Sequence, residues 1–279
     1  MDLATPVVLP KQEALALRYG ADAVPAAGPW NEHIALLLAH RSIRGYRPDA
    51  LPEGTVETLV AAAQSAATSS NLQSWSVVAV TNAASKAALA KVAANQKHIE
   101  QCPVFLVWLA DLSRNQRLAE AARAELAGLP FLESFLMAAL DAALAAQNAV
   151  VAAESLGLST VYIGALRNDP QKVAEVLGLP PGVMGVFGLC IGYAAPEVTN
   201  EVKPRLPQAA VLFHETYGTP DEDALRAAYD IKLGEFSRRN EISQDNWSSR
   251  VIRRLSKVSS LAGRDRLGGV LRAMGFPLR

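Results

Sequence analysis

Five short polar segments of this 279-residue chain carry residue types that could bind an anionic or strongly polar ligand. They lie at 40–44, 68–73, 95–98, 161–168 and 203–205. Together they offer cationic donors, hydroxyls, amides and a small-residue turn, without a nucleophile or a metal-ligand set. This combination suits the binding of a pre-made cofactor that carries the chemistry itself.

Two of the segments have the composition of phosphate sites. The first reads His-Arg-Ser-Ile-Arg at 40–44, and in the second Lys203 and Arg205 stand in a proline-rich, extended stretch. Cationic side chains bind phosphate oxygens through charge-assisted hydrogen bonds. A solvated helix end at 40–44 and a solvated basic loop at 203–205 are the alternatives.

The other three segments suit the edges of a flat ligand. Thr-Ser-Ser-Asn-Leu-Gln at 68–73 and Asn-Gln-Lys-His at 95–98 offer hydroxyls and amides, although an ordinary loop and a polar helix cap explain them equally well. The 161–168 segment ends a strand pattern in a turn of small residues. Backbone N–H groups in such a turn can approach a ligand closely.

Several common catalytic motifs are missing from the sequence. We find no Gly-x-Gly-x-x-Gly or Gly-x-x-x-x-Gly-Lys-Ser/Thr nucleotide loop and no Gly-x-Ser-x-Gly elbow. The four histidines show no paired helical spacing for zinc. Cys102 and Cys190 lie far apart in apolar surroundings, which favours buried thiols in a reducing cytoplasm over a disulfide framework.

The pattern of apolar residues predicts the elements that position these segments. Ala-rich stretches at 52–67, 83–94, 115–127 and 132–157 predict helices, with Gly157 as a cap of the last. Runs rich in β-branched residues at 76–81, 104–110, 160–163 and 183–193 predict the strands of one central sheet. Strands separated by helices indicate an α/β or α+β sandwich.

Charge and hydropathy argue against nucleic acid and against a membrane as partners. The 27 basic and 27 acidic residues leave no net charge to attract nucleic acid or an anionic membrane. The apolar stretch at 135–157 is interrupted by Asp141, Gln147, Asn148 and Glu154, so we interpret it as a buried helix rather than a membrane span. The N-terminus shows no secretory signal pattern, and we expect a cytoplasmic protein.

The long apolar helix also bears on assembly. A helix that is apolar nearly all round needs partners on every side, which a second subunit can supply. A central helix in a large monomer is the alternative. After residue 193 the pattern becomes proline-containing and charged, and we expect one domain over 30–279, with an appendage from about 200 and an extension of unknown role at 1–29.

These segments, in this order, resemble the oxygen-insensitive NADPH nitroreductase and flavin reductase family, over about residues 30–250. The most specific matches are His-Arg-Ser-Ile-Arg at 40–44, Asn-Gln-Lys-His at 95–98, Ala-Gln-Asn-Ala at 146–149 with Ala-Ala-Glu-Ser-Leu-Gly-Leu at 152–158, Val-Tyr-Ile-Gly at 161–164, Phe-Gly-Leu-Cys-Ile-Gly at 187–192 and Lys-Pro-Arg-Leu-Pro at 203–207. The resemblance implies an α+β fold with a central mixed sheet flanked by helices. It also implies a homodimer with an extensive interface and one FMN per subunit.

The resemblance further implies roles for particular residues. Those expected at the FMN phosphate are His40, Ser42, Lys203 and Arg205, assisted by Arg41. Arg44 is expected to face the N1/O2 edge of the flavin, and Gln96 its pyrimidine edge. The loop expected to contribute partly across the dimer contains Ser69, Ser70, Asn71 and Gln73. The backbone expected near N5 and O4 belongs to Ile163, Gly164 and Ala165, which follow Tyr162.

The function implied is hydride transfer from NADPH or NADH to FMN, followed by reduction of nitroaromatics, quinones or flavins in a ping-pong cycle. Family arginines that grip the nucleotide 2′-phosphate are missing near 243 and 244, which leaves Arg238, Arg239 and Arg264 as candidates. Ala165 stands where relatives often have a second glycine. A flavin reductase that supplies a partner enzyme, a non-catalytic flavin-binding protein and a non-flavin structural domain are the alternatives.

Overall fold

The computed structural model describes residues 9–198, 200–219, 221–242 and 245–279. These residues form two compact units. The sheet unit comprises Ser42–Val198 and Ala262–Arg279, and the helical unit comprises the described residues of 9–41 and 200–261. One boundary between the units lies near residue 200, and the expected single domain over 30–279 stays a prediction. Residues 9–41 lie in the same unit as the described part of 200–261.

The helices, in chain order, are α1 Lys11–Tyr19, α2 Glu32–Leu38, α3 Thr55–Gln64, α4 Ala83–Val92, α5 His98–Gln101, α6 Ser113–Ala122, α7 Leu132–Ser155, α8 Pro170–Leu177, α9 Glu222–Arg239, α10 Trp247–Leu255 and α11 Leu267–Ala273. The strands are β1 Trp75–Val80, β2 Val104–Asp111, β3 Ser159–Ile163 and β4 Val183–Gly192. The four predicted helices and four predicted strands are confirmed. Helix α6 ends before the predicted residue 127, because Arg123 adopts a left-handed φ of +51°.

The sheet has the strand order β1-β2-β4-β3. Its three strand pairings are all antiparallel. The sheet was expected to contain parallel and antiparallel strands, and the parallel pairing found among the described residues is a single bridge between Ser42 and Thr160. That bridge is isolated because the chain at Ser42 pairs with β3 without forming a strand of its own. Architecture of the α+β class is confirmed.

Strand β2 is buried along its whole length because helices cover both faces of the sheet. Leu106 and Trp108 point to the face covered by α3 and α7, whereas Phe105 and Val107 point to the core shared with α4 and α8. This alternation follows from the two-residue period of a strand. The face with α4 is the one that also contains Ile43 and Ile163, next to the predicted site segments.

Helix α7 is a core helix on one side only. Six of its alanines, among them Ala142 and Ala149, are fully buried, whereas large leucines remain exposed on another face. The predicted cap is confirmed, since Gly157 has a φ of +73° and its N–H donates to the Glu154 carbonyl at 3.0 Å. By length and composition alone α7 could cross a membrane, and 39% of its most apolar stretch is buried inside the protein.

Candidate flavin site

The 42–44 segment lies alongside β3. The Ile43 N–H donates to the Thr160 carbonyl at 3.0 Å, and the Ile43 side chain is buried. Tyr46 fixes the same stretch, because its hydroxyl donates to the Ile43 carbonyl at 2.9 Å. In an extended chain alternate side chains share a face, so burial of Ile43 directs Ser42 and Arg44 away from the core.

Strand β3 leads directly into the small-residue turn. Ile163 is buried at the end of the strand, and a 3-10 helix follows over Gly164–Asn168. Two side chains hold this turn: Arg167 donates to the Val186 carbonyl at 2.5 Å, and Asn168 donates to the Val92 carbonyl at 3.2 Å. The second bond ties the turn to the end of α4, just before the 95–98 segment.

The 95–98 segment reverses the chain between α4 and α5. Ala94 and Asn95 both adopt left-handed φ angles near +60°, and the Asn95 N–H donates to the Ala90 carbonyl at 2.8 Å. His98 follows with only 9% of its surface exposed. Its Nε2 has no hydrogen-bond partner among the described residues, which is unusual for a buried polar atom.

Burial, assisted by the nearby positive charge of Arg44, lowers the pKa of His98 from its ordinary 6.5. The Ile43–Thr160 and Asn168–Val92 bonds bring the 42–44 segment and the approach to the 95–98 segment alongside β3 and the turn that follows it. The exposed cation Arg44 and the amide side chains of Asn95 and Gln96 belong to these segments, which fits the polar edge of a flavin ring.

The depressed pKa of His98 predicts a dependence of stability on pH. Because the unfolded chain takes up the proton more readily, the free energy of unfolding should fall as the pH drops through and below 6.5. His98→Gln should remove that part of the slope. Denaturant titrations of both proteins from neutral to mildly acidic pH would test this, and identical slopes would contradict it.

The 68–73 loop is held in a strained conformation. Ser70, Asn71 and Gln73 have φ angles of +47°, +55° and +49°, which non-glycine residues seldom adopt. The buried carboxylate of Asp141 on α7 fixes the loop, accepting hydrogen bonds from the Thr68 hydroxyl at 2.7 Å and from the Ser69 N–H at 3.1 Å. These hydrogen bonds fix the loop on α7, and they do not bring it to Arg44 and the segments beside β3.

Asp141 was missed as a functional residue by sequence reasoning. In the sequence it counts as a polar interruption of an apolar helix. A single acidic residue in a helix that is otherwise buried was the available signal, because a buried carboxylate requires hydrogen-bond donors.

Removal of the Asp141 carboxylate should therefore release the loop. We expect Asp141→Ala to lower the free energy of unfolding by about 2 kcal/mol, since two buried hydrogen bonds are lost. Amide hydrogen exchange at 68–73 should become faster. The matched control is Glu133→Ala, which removes an exposed carboxylate from the start of the same helix. Unchanged exchange in Asp141→Ala would contradict the role.

In the helical unit the two predicted phosphate segments are neighbours. Arg18 of α1 donates to the carbonyls of His40 at 3.1 Å and Lys203 at 2.7 Å, and its own carbonyl accepts the Arg205 N–H at 2.9 Å. Arg41 donates to the Asn200 carbonyl at 3.4 Å. The side chains of His40, Arg41, Lys203 and Arg205 are thus presented by adjoining backbone, which fits a dianionic phosphate. Their binding of a phosphate stays a prediction.

The three nucleotide candidates are placed differently from one another. Arg238 and Arg239 lie in the last turn of α9, and Arg239 forms an ion pair with Glu201 at 3.0 Å. That hydrogen bond raises the pKa of Arg239 and lowers the pKa of Glu201. Arg264 belongs to the sheet unit, where its Nε donates to the Asn168 side chain at 3.0 Å. Positions 243 and 244 lie outside the described residues.

Family models match both parts of the chain. The model described as the nitroreductase family matches residues 37–193, and the one described as the nitroreductase family, C-terminal domain, matches residues 203–279. This chain belongs to the nitroreductase family. The matched residues include every predicted flavin and nucleotide residue, whereas α1 precedes them.

Curated relatives agree with this membership of the nitroreductase family. The chain is 39% identical to an oxygen-insensitive NADPH nitroreductase of Salmonella typhimurium, an alignment that covers 80% of this chain and 91% of that protein. It is 38% identical to an FMN reductase (NADPH) of Bacillus subtilis, with 80% of this chain and 90% of that protein covered.

Among solved structures, the fold is similar to that of the NADPH:FMN oxidoreductase of Vibrio harveyi complexed with NAD+. The TM-score is 0.78 at 34% identity, and 89% of this chain and all of that chain are covered. A nitroreductase structure from Bacillus subtilis gives a TM-score of 0.81 at 36% identity, with 88% of this chain and 99% of that chain covered. The nitroreductase fold predicted from the sequence is confirmed.

Proposed function

We propose that the predicted residues hold FMN and that the chain cycles between nicotinamide nucleotide and acceptor at that site. The chain is an NAD(P)H-dependent oxidoreductase that uses FMN, and hydride passes from the nucleotide to the flavin. The single observation that supports the residue assignment is that every predicted flavin residue lies within the two matched family segments.

In this proposal one set of residues binds the phosphate and another binds the ring edges. FMN supplies the redox chemistry when it is bound. His40, Arg41, Lys203 and Arg205 would donate to the phosphate, together with Ser42. Arg44 would stabilise negative charge at N1/O2, and Gln96 would donate to the pyrimidine edge.

The remaining groups orient the reactive edge. Backbone N–H groups at Gly164 and Ala165 would donate near N5 and O4, and the Arg167 and Asn168 bonds keep that turn in place. Burial favours the neutral form of His98, so that Arg44 supplies the positive charge proposed for the ring edge. No side chain is assigned as a general acid.

Nitroaromatics, quinones and free flavins are the proposed acceptors, because none of the motifs for other chemistries is present and the flavin itself carries the electrons. Steady-state kinetics with NADPH and a nitroaromatic test this proposal. Parallel double-reciprocal lines are expected for a ping-pong cycle, in which nucleotide and acceptor use the same face in turn. Intersecting lines would contradict the shared face.

A second candidate within the same chemistry is a flavin reductase that releases reduced FMN, which is supported by the FMN reductase among the relatives. Comparison of kcat/KM for free FMN and for a nitroaromatic separates the two. A non-catalytic flavin-binding protein would hold FMN but leave NADPH and NADH unoxidised. The choice between the two nucleotides depends on Arg238, Arg239 and Arg264.

We also propose that the protein is a homodimer built on α7. Four leucines spaced four residues apart are each about half exposed on this helix, namely Leu132, Leu136, Leu140 and Leu144. A continuous row of exposed leucines indicates an interface. A second copy is the occupant we assign, because α7 also fixes the 68–73 loop, which is expected to contribute across the dimer.

Charges introduced into this row should dissociate the dimer. We expect the double variant Leu136→Glu/Leu140→Glu to sediment as a monomer and to lose most of its FMN on dialysis. Leu118→Glu on α6 is the matched control, because Leu118 is also exposed, at 67%, but lies outside the row. A double variant that remains dimeric would contradict this interface.

A cytoplasmic location is proposed on the two buried free thiols, Cys102 and Cys190.

A further inference from the structure

The N-terminal helix α1 contributes one buried cation to the helical unit. Arg18 is only 6% exposed although it carries a full charge. Its guanidinium donates to three main-chain carbonyls, those of Leu38, His40 and Lys203. A buried guanidinium is costly unless such partners are present, and its rigid fork of donors suits several carbonyls at once.

The carbonyls that Arg18 binds have weak hydrogen-bonding support within their own segments. Leu38 is the last residue of α2, where carbonyls lack partners within the helix. Within the 203–205 segment the Lys203 carbonyl accepts a long hydrogen bond of 3.5 Å from the Arg205 side chain. Arg18 therefore supplies the donor that the end of α2 lacks and a shorter hydrogen bond, of 2.7 Å, to the Lys203 carbonyl.

These two places carry the predicted phosphate residues. His40 and Arg41 follow α2 directly, while Lys203 lies 185 residues after Arg18 in the chain. The Arg205 N–H donates to the Arg18 carbonyl at 2.9 Å, so Arg18 holds the second segment through its main chain as well as its side chain. The Tyr229 hydroxyl adds a bond to the Pro204 carbonyl at 3.0 Å.

We propose that Arg18 is a positioning residue for the FMN phosphate: it sets the spacing between the 40–41 and 203–205 segments without touching the ligand. This inference rests on the proposed phosphate site. It gives a role to the N-terminal extension, which precedes the matched family segments. The ligand feature concerned is a phosphate monoester, and the isoalloxazine ring should be unaffected.

Comparison of FMN with riboflavin isolates this role, since riboflavin lacks the phosphate. Flavin-depleted full-length protein is titrated with each flavin, and quenching of flavin fluorescence gives the two Kd values. We expect Arg18→Ala to weaken FMN binding about tenfold or more while the Kd for riboflavin changes little. Arg18→Lys should lie between, because an ammonium cannot replace the whole fork.

Lys232→Met is the matched control. Lys232 also anchors the end of α1, donating to the Tyr19 carbonyl at 2.9 Å and pairing with Asp22, and both of these partners lie outside the phosphate segments. It should keep the wild-type preference for FMN.

Three results would overturn the inference. Equal weakening of both flavins in Arg18→Ala and Arg18→Lys would show a general structural role, and an unchanged preference for FMN in both would show no role. A wild-type protein without a preference for FMN over riboflavin would instead contradict the phosphate site itself. Circular dichroism verifies folding, and the lysine variant carries the test if the alanine variant does not fold.

Discussion

Arg205→Ala is expected to weaken FMN binding by about tenfold to a hundredfold. A charge-assisted hydrogen bond to a phosphate contributes about 1.5–3 kcal/mol, which corresponds to that change in Kd. The Arg205 side chain is exposed while its backbone is fixed on Arg18, so it can reach a ligand from a rigid base. The loss should apply to FMN and not to riboflavin.

Arg226→Ala provides the control for this prediction. Arg226 is an exposed arginine of the same unit, paired with Asp223 at 2.8 Å, and no role is predicted for it at the phosphate. It should retain FMN on prolonged dialysis as the wild type does. FMN retention in Arg205→Ala that matches this control would place the phosphate elsewhere.

Arg44→Ala is expected to make the bound flavin harder to reduce. Loss of the cation near N1/O2 removes stabilisation from the negatively charged reduced form but leaves the neutral oxidised form little changed. For a two-electron couple, about 30 mV corresponds to 1.4 kcal/mol, and we expect the midpoint potential to fall by about 30–60 mV. Reductive titration against dyes of known potential measures this shift.

Arg47→Ala is the control variant for this experiment. Arg47 lies three residues further on and is paired with Asp49 at 2.8 Å, so its removal should leave the flavin potential unchanged. A potential in Arg44→Ala that stays constant or rises would contradict the assignment. Arg44 also helps to lower the pKa of His98, and its removal relieves that effect. We therefore do not expect Arg44→Ala to unfold faster in acid than the wild type.

The sequence was sufficient for the elements whose patterns are local. Strand β2 was predicted because its residues are nearly all apolar, as burial on both faces requires. Helix α7 was predicted because its long apolar run has few breakers and is followed by Gly157. Sequence could not show that the sheet would be antiparallel, since strand direction depends on how the helical connections return.

The contacts that hold the candidate site were less accessible to sequence reasoning. Arg18 binds carbonyls 20, 22 and 185 residues away, and no local pattern distinguishes it from a solvated arginine on a short helix. The role of Asp141 was equally difficult to predict from the sequence, because its partners Thr68 and Ser69 precede it by more than 70 residues. Residues predicted to bind a ligand thus had recognisable motifs, whereas residues that position them did not.

Anaerobic mixing of the purified protein with NADPH and, separately, with NADH tests the central claim most directly. The visible absorbance of the bound flavin is followed after each addition. Rapid bleaching by at least one nucleotide is predicted, and the faster one identifies the preferred donor. A bound flavin that neither nucleotide bleaches would contradict the proposed catalytic cycle and favour a flavin-binding protein without turnover.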